Sequence, residues 1–247
     1  MLVLWLVSIA LRDVSIVDIY WGPGFLLIAC LAAAGAGTWT PRTFLIVALV
    51  AVWALRLAVH LFRRWRRLGV EDRRYAAMRR KAGARFVARS LFSVFALQGA
   101  IMWVVSVPLQ LALRDPSAPL GWCAWFGTAV FTFGWICESV ADVQLTAFRR
   151  ASAHAGLVLD TGLWACSRHP NYFGEVVLWW GLFLVTVDGT GAWWTSFSPA
   201  IVTLLLLLRV SGIPMLERGM NKRRPGYAAY TARTSAFIPL PFGKRAR

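Results

Sequence analysis

Six stretches of this chain are long and apolar enough to cross a bilayer, and nothing else in the sequence constrains its fold as strongly. They run from Val14 to Ala36, Phe44 to Phe62, Leu91 to Leu113, Leu120 to Val140, Tyr172 to Val187 and Pro199 to Met215. A helical span needs about 20 mostly apolar residues. In hydrocarbon, every backbone amide and carbonyl must find a partner within the chain, so segments of this kind fold as helices. The overall balance agrees: 58% of the residues are hydrophobic and 14 are Trp, far from the mixture of a water-soluble domain. Met1 to Leu11 is apolar but short, with neither a basic leader nor a small-residue cleavage site, and reads as a truncated first span or an interfacial helix. The expected fold is all-α, a polytopic transmembrane bundle of six to seven helices forming a single integral membrane domain over residues 1–247.

The net charge of +16 would suggest nucleic acid in a soluble protein, but its distribution points elsewhere. Arg and Lys crowd the loop from Arg63 to Arg89 and the tail from Arg218 to Arg247. Arg149, Arg150 and Arg168 lie between the fourth and fifth spans. Threading six spans puts all three groups on one side, leaving only Arg42 and Arg114 for the other. The positive-inside rule assigns the basic side to the cytoplasm. Nucleic-acid binding is then unnecessary, and the bilayer itself is the partner, with anionic headgroups favouring the basic surface. The cysteines (Cys30, Cys123, Cys137, Cys166) form no C-x-x-C pair, so neither a structural zinc site nor a disulfide framework is expected. Rossmann and P-loop glycine motifs are absent from the sequence, so any nucleotide is held in another way.

Ionisable side chains inside spans are costly, about 2.5 to 3.5 kcal/mol at mid-depth on insertion scales, and each one asks for a reason. Asp18 stands in Asp18-Ile19-Tyr20-Trp21-Gly22-Pro23-Gly24, where Gly and Pro are expected to open the helix. Arg56 and His60 share a face of the second span, and Arg209 precedes Ser211-Gly212-Ile213-Pro214 in the last. Both arginines also suit snorkelling toward headgroups. Glu138 and Asp142 stack on one face at the end of the fourth span, with Arg149 continuing that side. Two stacked carboxylates repel unless donors hold them; a solvated helix end is the simpler alternative. The densest polar cluster is Arg168-His169-Pro170-Asn171-Tyr172-Phe173-Gly174-Glu175. Pro170 fits the first turn of a helix. Arg168 and His169 would then stand at its N-terminus, where free amides favour an anion, with Asn171, Glu175 and Trp179 on one face.

These motifs resemble the steroid 5-alpha-reductase superfamily, and especially its uncharacterised bacterial branch. The likeness rests on Gly162-Leu163-Trp164 and the Arg168–Glu175 run. It extends to Asp18–Gly22, Glu71-Asp72-Arg73-Arg74-Tyr75 and Ser211–Pro214. The resemblance implies an integral protein, of the inner membrane in a bacterium, that holds NADPH in a cytoplasm-facing cavity. Residues 114–247 would bind the cofactor and residues 1–113 would face the substrate. It assigns the cofactor to Glu138, Asp142, Arg149, Asn171, Glu175 and Trp179, whose spacing matches the family's. Arg168, His169 and Tyr172 join them at the helix start, and Glu217, Lys222 and Tyr227 follow by a looser match. The implied activity is reduction of an activated C=C bond in an apolar lipid, steroid-like or isoprenoid. The substrate half departs from the family: no Gln-Glu pair occurs, and His60 is followed by Leu61 rather than Tyr. Tyr20, Asp18 and His60 are the candidate catalytic groups in its place. Isoprenylcysteine and phospholipid methyltransferases share the Arg-His-Pro-x-Tyr start, so S-adenosylmethionine chemistry is the rival expectation.

Overall fold

The computed structural model describes residues 1–115, 117–151, 156–207, 217 and 219–240, apart from the side chains of Leu207 and Lys222. The described residues form an all-α membrane bundle, with no extended strand and a single isolated bridge between Ser167 and Ser235. Four helical stretches meet the length and hydropathy of a membrane span: Ile16–Ala36, Pro41–Leu68, Arg73–Val105 and Trp122–Arg150. The fifth expected span is an 18-residue helix, Pro170–Val187, and the sixth is helical over Phe197–Leu207. Arg209 and the Ser211–Pro214 motif lie outside the described residues. Contacts divide the chain into two compact units, one of Met1–Leu120 with Gly189–Ala192, the other of Gly121–Asp188 with Trp193–Arg247.

The first unit opens with α1 (Leu2–Leu11), whose apolar side chains are largely exposed. Next come α2 (Ile16–Ala36) and α3 (Pro41–Leu68), joined by so short a turn that they must run antiparallel. Thr40 and Thr43 form a capping box at the start of α3, with Pro41 in the first turn where its missing amide is harmless. A Cβ at Gly22 would lie 2.7 Å from the Ala54 carbonyl oxygen, so only glycine lets the two backbones come this close. Phe25 and Trp53 meet edge-to-face beside that contact. Contrary to expectation, Pro23 does not open the helix: α2 runs unbroken with Asp18 in its first turn, a proline being tolerated inside a helix packed against a neighbour in the membrane. Arg42, expected on the far side, is fully buried and donates to the carbonyls of Ala118 and Pro119 at 3.0 and 2.6 Å.

The expected third span, by contrast, is divided. Helices α4 (Arg73–Ala82) and α5 (Phe86–Ser90) lead through a π-helical stretch, Leu91–Ala96, into α6 (Leu97–Val105). The chain then turns at Ser106 into α7 (Val107–Arg114). Pro108 has no amide to continue the hydrogen-bond ladder, which is why a continuous apolar run gives two helices.

In the second unit α8 (Trp122–Arg150) packs along α10 (Pro170–Val187), with the one-turn α9 (Leu163–Cys166) between them. Glycines set the approach. A Cβ on Gly134 would stand 2.4 Å from the Leu178 amide nitrogen, and one on Gly174 2.5 Å from that of Glu138. Gly127 and Gly181 make the same close contact seven residues along, so the helices are antiparallel and touch backbone to backbone. The remaining helices are α11 (Phe197–Leu207), α12 (Met220–Arg223) and α13 (Tyr227–Arg233).

Candidate functional site

Close packing of α8 on α10 brings the polar residues of the second unit together. Glu138 and Asp142, one turn apart on α8, are both buried. The donor their stacking required is Asn171 on the first turn of α10, whose Nδ2 reaches Asp142 Oδ1 at 3.1 Å. Further along the same face of α10, Trp179 donates its indole N–H to Glu175 Oε1 at 2.9 Å, an i, i+4 pair. Arg149 is exposed on the last turn of α8.

The segment before α10 is held by the tail. Arg168 N donates to the Ser235 carbonyl at 2.8 Å and Ser167 Oγ to that of Phe237 at 2.7 Å. Tyr230 Oη donates to the Trp164 carbonyl at 2.6 Å, and the Trp164 indole to that of Ala141 on α8 at 3.1 Å. His169 is therefore fixed at the N-cap of α10, with Pro170 opening the helix as expected. Its Nε2 lies 3.0 Å from Glu217 Oε1, and its ring stands 5.7 Å from that of Tyr172. Arg168 Nε is 3.1 Å from the same Glu217 oxygen, an ion pair without hydrogen-bond alignment, and is sealed from solvent. Glu217 also accepts from the buried Tyr227 phenol. Burial holds His169 below the ordinary imidazole value and the Arg168 charge adds to this, outweighing the attraction of Glu217. For Tyr227, burial and the Glu217 carboxylate raise the phenol well above its ordinary range. Two further polar atoms on α8, Trp135 Nε1 and Ser139 Oγ, are sealed from solvent with no hydrogen-bond partner among the described residues.

Of the residues expected at the cofactor, Asp142 and Asn171 thus bond to each other with Glu138 one turn away, and Glu175 pairs with Trp179. Arg168, His169 and Tyr227 gather on Glu217. The Lys222 side chain lies outside the described residues. The resemblance pointed to these groups, whereas Glu217 as a shared centre for Arg168, His169 and Tyr227 depends on the tail folding back.

The polar groups of the first unit sort differently. Asp18 accepts from Arg74 at 2.6 Å and from the buried Tyr75 phenol at 2.7 Å, and Gln98 donates to Tyr75 Oη at 3.2 Å. Asp72 caps α4 through the Arg74 amide and ion-pairs with Arg74 and Arg64. Burial alone would raise Asp72, but the Arg74 amide and both guanidinium groups hold it below the usual carboxylate range. A small pocket beside Asp18 is lined by Ser15, Ile19, Leu61, Trp65 and Val70, among others. Neither Tyr20 nor His60 lines it. Tyr20, two residues beyond Asp18, points around the helix toward Gly24, and His60 is half-buried on α3. Tyr75, which joins Asp18 here, was not among the expected catalytic groups. Its only sequence signal was its place in the Glu71–Tyr75 motif, because its contact spans 57 residues.

A family model described as a protein of unknown function, DUF1295, matches residues 4–234. An uncharacterized protein of Schizosaccharomyces pombe is 24% identical over 265 residues, covering 96% of this chain and 76% of that protein. No solved structure matches. With the match running over nearly its whole length, the chain belongs to the DUF1295 family.

Proposed function

We propose that this protein is an NADPH-dependent membrane reductase acting on an activated C=C bond of an apolar lipid, steroid-like or isoprenoid. The observation that carries the reading is the joining of Asp142 to Asn171 beside buried Glu138. These are residues that the resemblance to steroid 5-alpha-reductases assigns to the cofactor. The DUF1295 family includes steroid 5-alpha-reductase-like membrane proteins, which agrees with it.

The residues present suit a dinucleotide. Trp135 Nε1 and Ser139 Oγ are sealed donors with no hydrogen-bond partner among the described residues, an arrangement that costs free energy until a ligand's acceptors arrive. Buried Glu138 and Asp142 are acceptors for amide and hydroxyl hydrogens. In this reading Glu138, Asp142, Asn171, Glu175 and Trp179 hold the uncharged parts of the cofactor, while Arg149 and Arg168 answer its phosphates. NADPH supplies the hydride when bound.

The proton side is served by Asp18 and Tyr75. A buried phenol is a neutral donor that need not ionise in apolar surroundings. Tyr75 donates its hydrogen to Asp18 and accepts from Gln98, which holds the phenol in place; on substrate binding that hydrogen would pass from Asp18 to a carbonyl oxygen as negative charge develops there, leaving the carboxylate to Arg74. This role passes to Tyr75 from Tyr20, which has no such partners among the described residues.

The test is a parallel titration of the detergent-purified protein with NADPH, NADH and S-adenosylmethionine, read as a shift in thermal stability. Stabilisation by NADPH that is lost in Asn171→Ala supports the reductase. A response to S-adenosylmethionine alone would replace it with a methyltransferase.

A further inference from the structure

Helix α4 has two faces. Tyr75, Arg79 and Ala82 turn inward, where Tyr75 and Ala82 join a core of Val14, Val17, Phe86 and Phe95. Arg73, Arg80 and Lys81 turn outward and are exposed, as are Arg63 and Arg67 at the end of α3 and Arg85 before α5. The acids nearby are already engaged. Glu71 binds Arg79 through both oxygens, at 2.7 and 2.8 Å, while Asp72 and Asp18 share Arg74 and Arg64. Among the described residues none of the six outward cations has a carboxylate partner. This excess of charge is also held in place. The loop before α2 is stitched to the loop before α4: Glu71 accepts from Val14 N, and Ser15 Oγ accepts from Asp72 N at 2.7 Å. Trp65 donates to Asp13 at 2.7 Å. Exposed Val70, Met78 and Val87 lie among the cations, the composition of a helix that rests in a headgroup layer.

We propose that this outward face, from the end of α3 through α5, is a docking surface for anionic phospholipid headgroups. Inward arginines neutralise the acids and lock the segment; outward ones remain for phosphates supplied by the bilayer. The locked backbone presents them together, so little ordering is required when lipid binds. The assignment is independent of the reductase reading and would survive its failure.

The test uses the full chain in neutral detergent, titrated with phosphatidylglycerol or phosphatidylcholine mixed micelles at low and high salt, with thermal stability as the readout. Wild type should be stabilised by phosphatidylglycerol well beyond phosphatidylcholine, and the difference should shrink as salt rises. Replacing Arg67, Arg73, Arg80 and Lys81 together by Gln should weaken apparent phosphatidylglycerol affinity at least about tenfold, given roughly fivefold per charge near a lipid surface. The corresponding Arg→Lys replacements, which keep the charge, should retain it. Equal stabilisation by the two lipids, or an undiminished response in the Gln variant, would overturn the proposal. Stronger stabilisation by a soluble polyanion such as an oligonucleotide would move the surface to a different partner. If the Gln variant does not fold, loss of the wild-type lipid preference at high salt decides the question, and its persistence refutes the proposal.

Discussion

Asn171 on α10 reaches across to Asp142 on α8, 3.1 Å from Nδ2 to Oδ1, and this bond meets a need that the sequence of α8 creates by itself. Glu138 and Asp142 are both buried one turn apart, and carboxylates so placed require donors. Asn171→Ala should therefore lower stability by about 1–3 kcal/mol, the usual cost of a stranded buried acceptor. Asp142→Asn combined with Asn171→Asp, which exchanges the partners, should recover part of the loss. Thermal melts of wild type and the two variants in one detergent decide it; an unchanged melt for Asn171→Ala would mean that the contact contributes nothing.

The α8–α10 contact depends on the absence of side chains. Gly134→Val or Gly174→Val would place methyl groups within the facing backbone and force the helices apart, so losses above about 3 kcal/mol are expected. Gly35 on α2 provides the comparison, since a Cβ there meets nothing within 4 Å. Gly35→Ala should be neutral or stabilising by about 0.5–1 kcal/mol.

His169 confers a pH dependence of predictable sign. Because the fold holds its imidazole below the ordinary value, the unfolded chain takes up a proton that the folded protein resists. Stability should then fall as pH drops through about 6.5 toward the lower folded value. Melting temperatures between about pH 7.5 and about pH 5.5 should show this decline, and His169→Gln should flatten it. A stability that rose on acidification over that range would mean that the charged form is favoured in the fold.

Two tyrosines separate the roles proposed in the first unit. Tyr75→Phe removes the hydrogen bond to Asp18 and leaves the Gln98 amide without its acceptor, a loss of about 1–2 kcal/mol. Tyr20→Phe should stay within about 0.5 kcal/mol of wild type. In a turnover assay with a lipid enone and NADPH, Tyr75→Phe should lose at least about a hundredfold and Tyr20→Phe little, as expected for removal of a positioned acid. Full turnover of Tyr75→Phe would exclude it as the donor.

Hydropathy by itself determined that this chain is a helical membrane protein, because a lipid solvent leaves few backbone arrangements open to long apolar runs. Local chemistry located the start of α10, since Pro170 after Arg168-His169 marks a first turn. Helical period alone put Glu138 with Asp142 and Glu175 with Trp179. Tertiary structure decided what period and spacing do not encode. Pro23 leaves α2 whole where it packs on α3, whereas Pro108 stands at the break in a run that hydropathy showed as continuous. Asp18 pairs with Tyr75 and Arg74 more than fifty residues away, and Glu217 joins Arg168, His169 and Tyr227 only once the tail has folded back on α9. Such pairings depend on where whole helices come to rest, and that is set by packing summed over the chain rather than by the residues that finally touch.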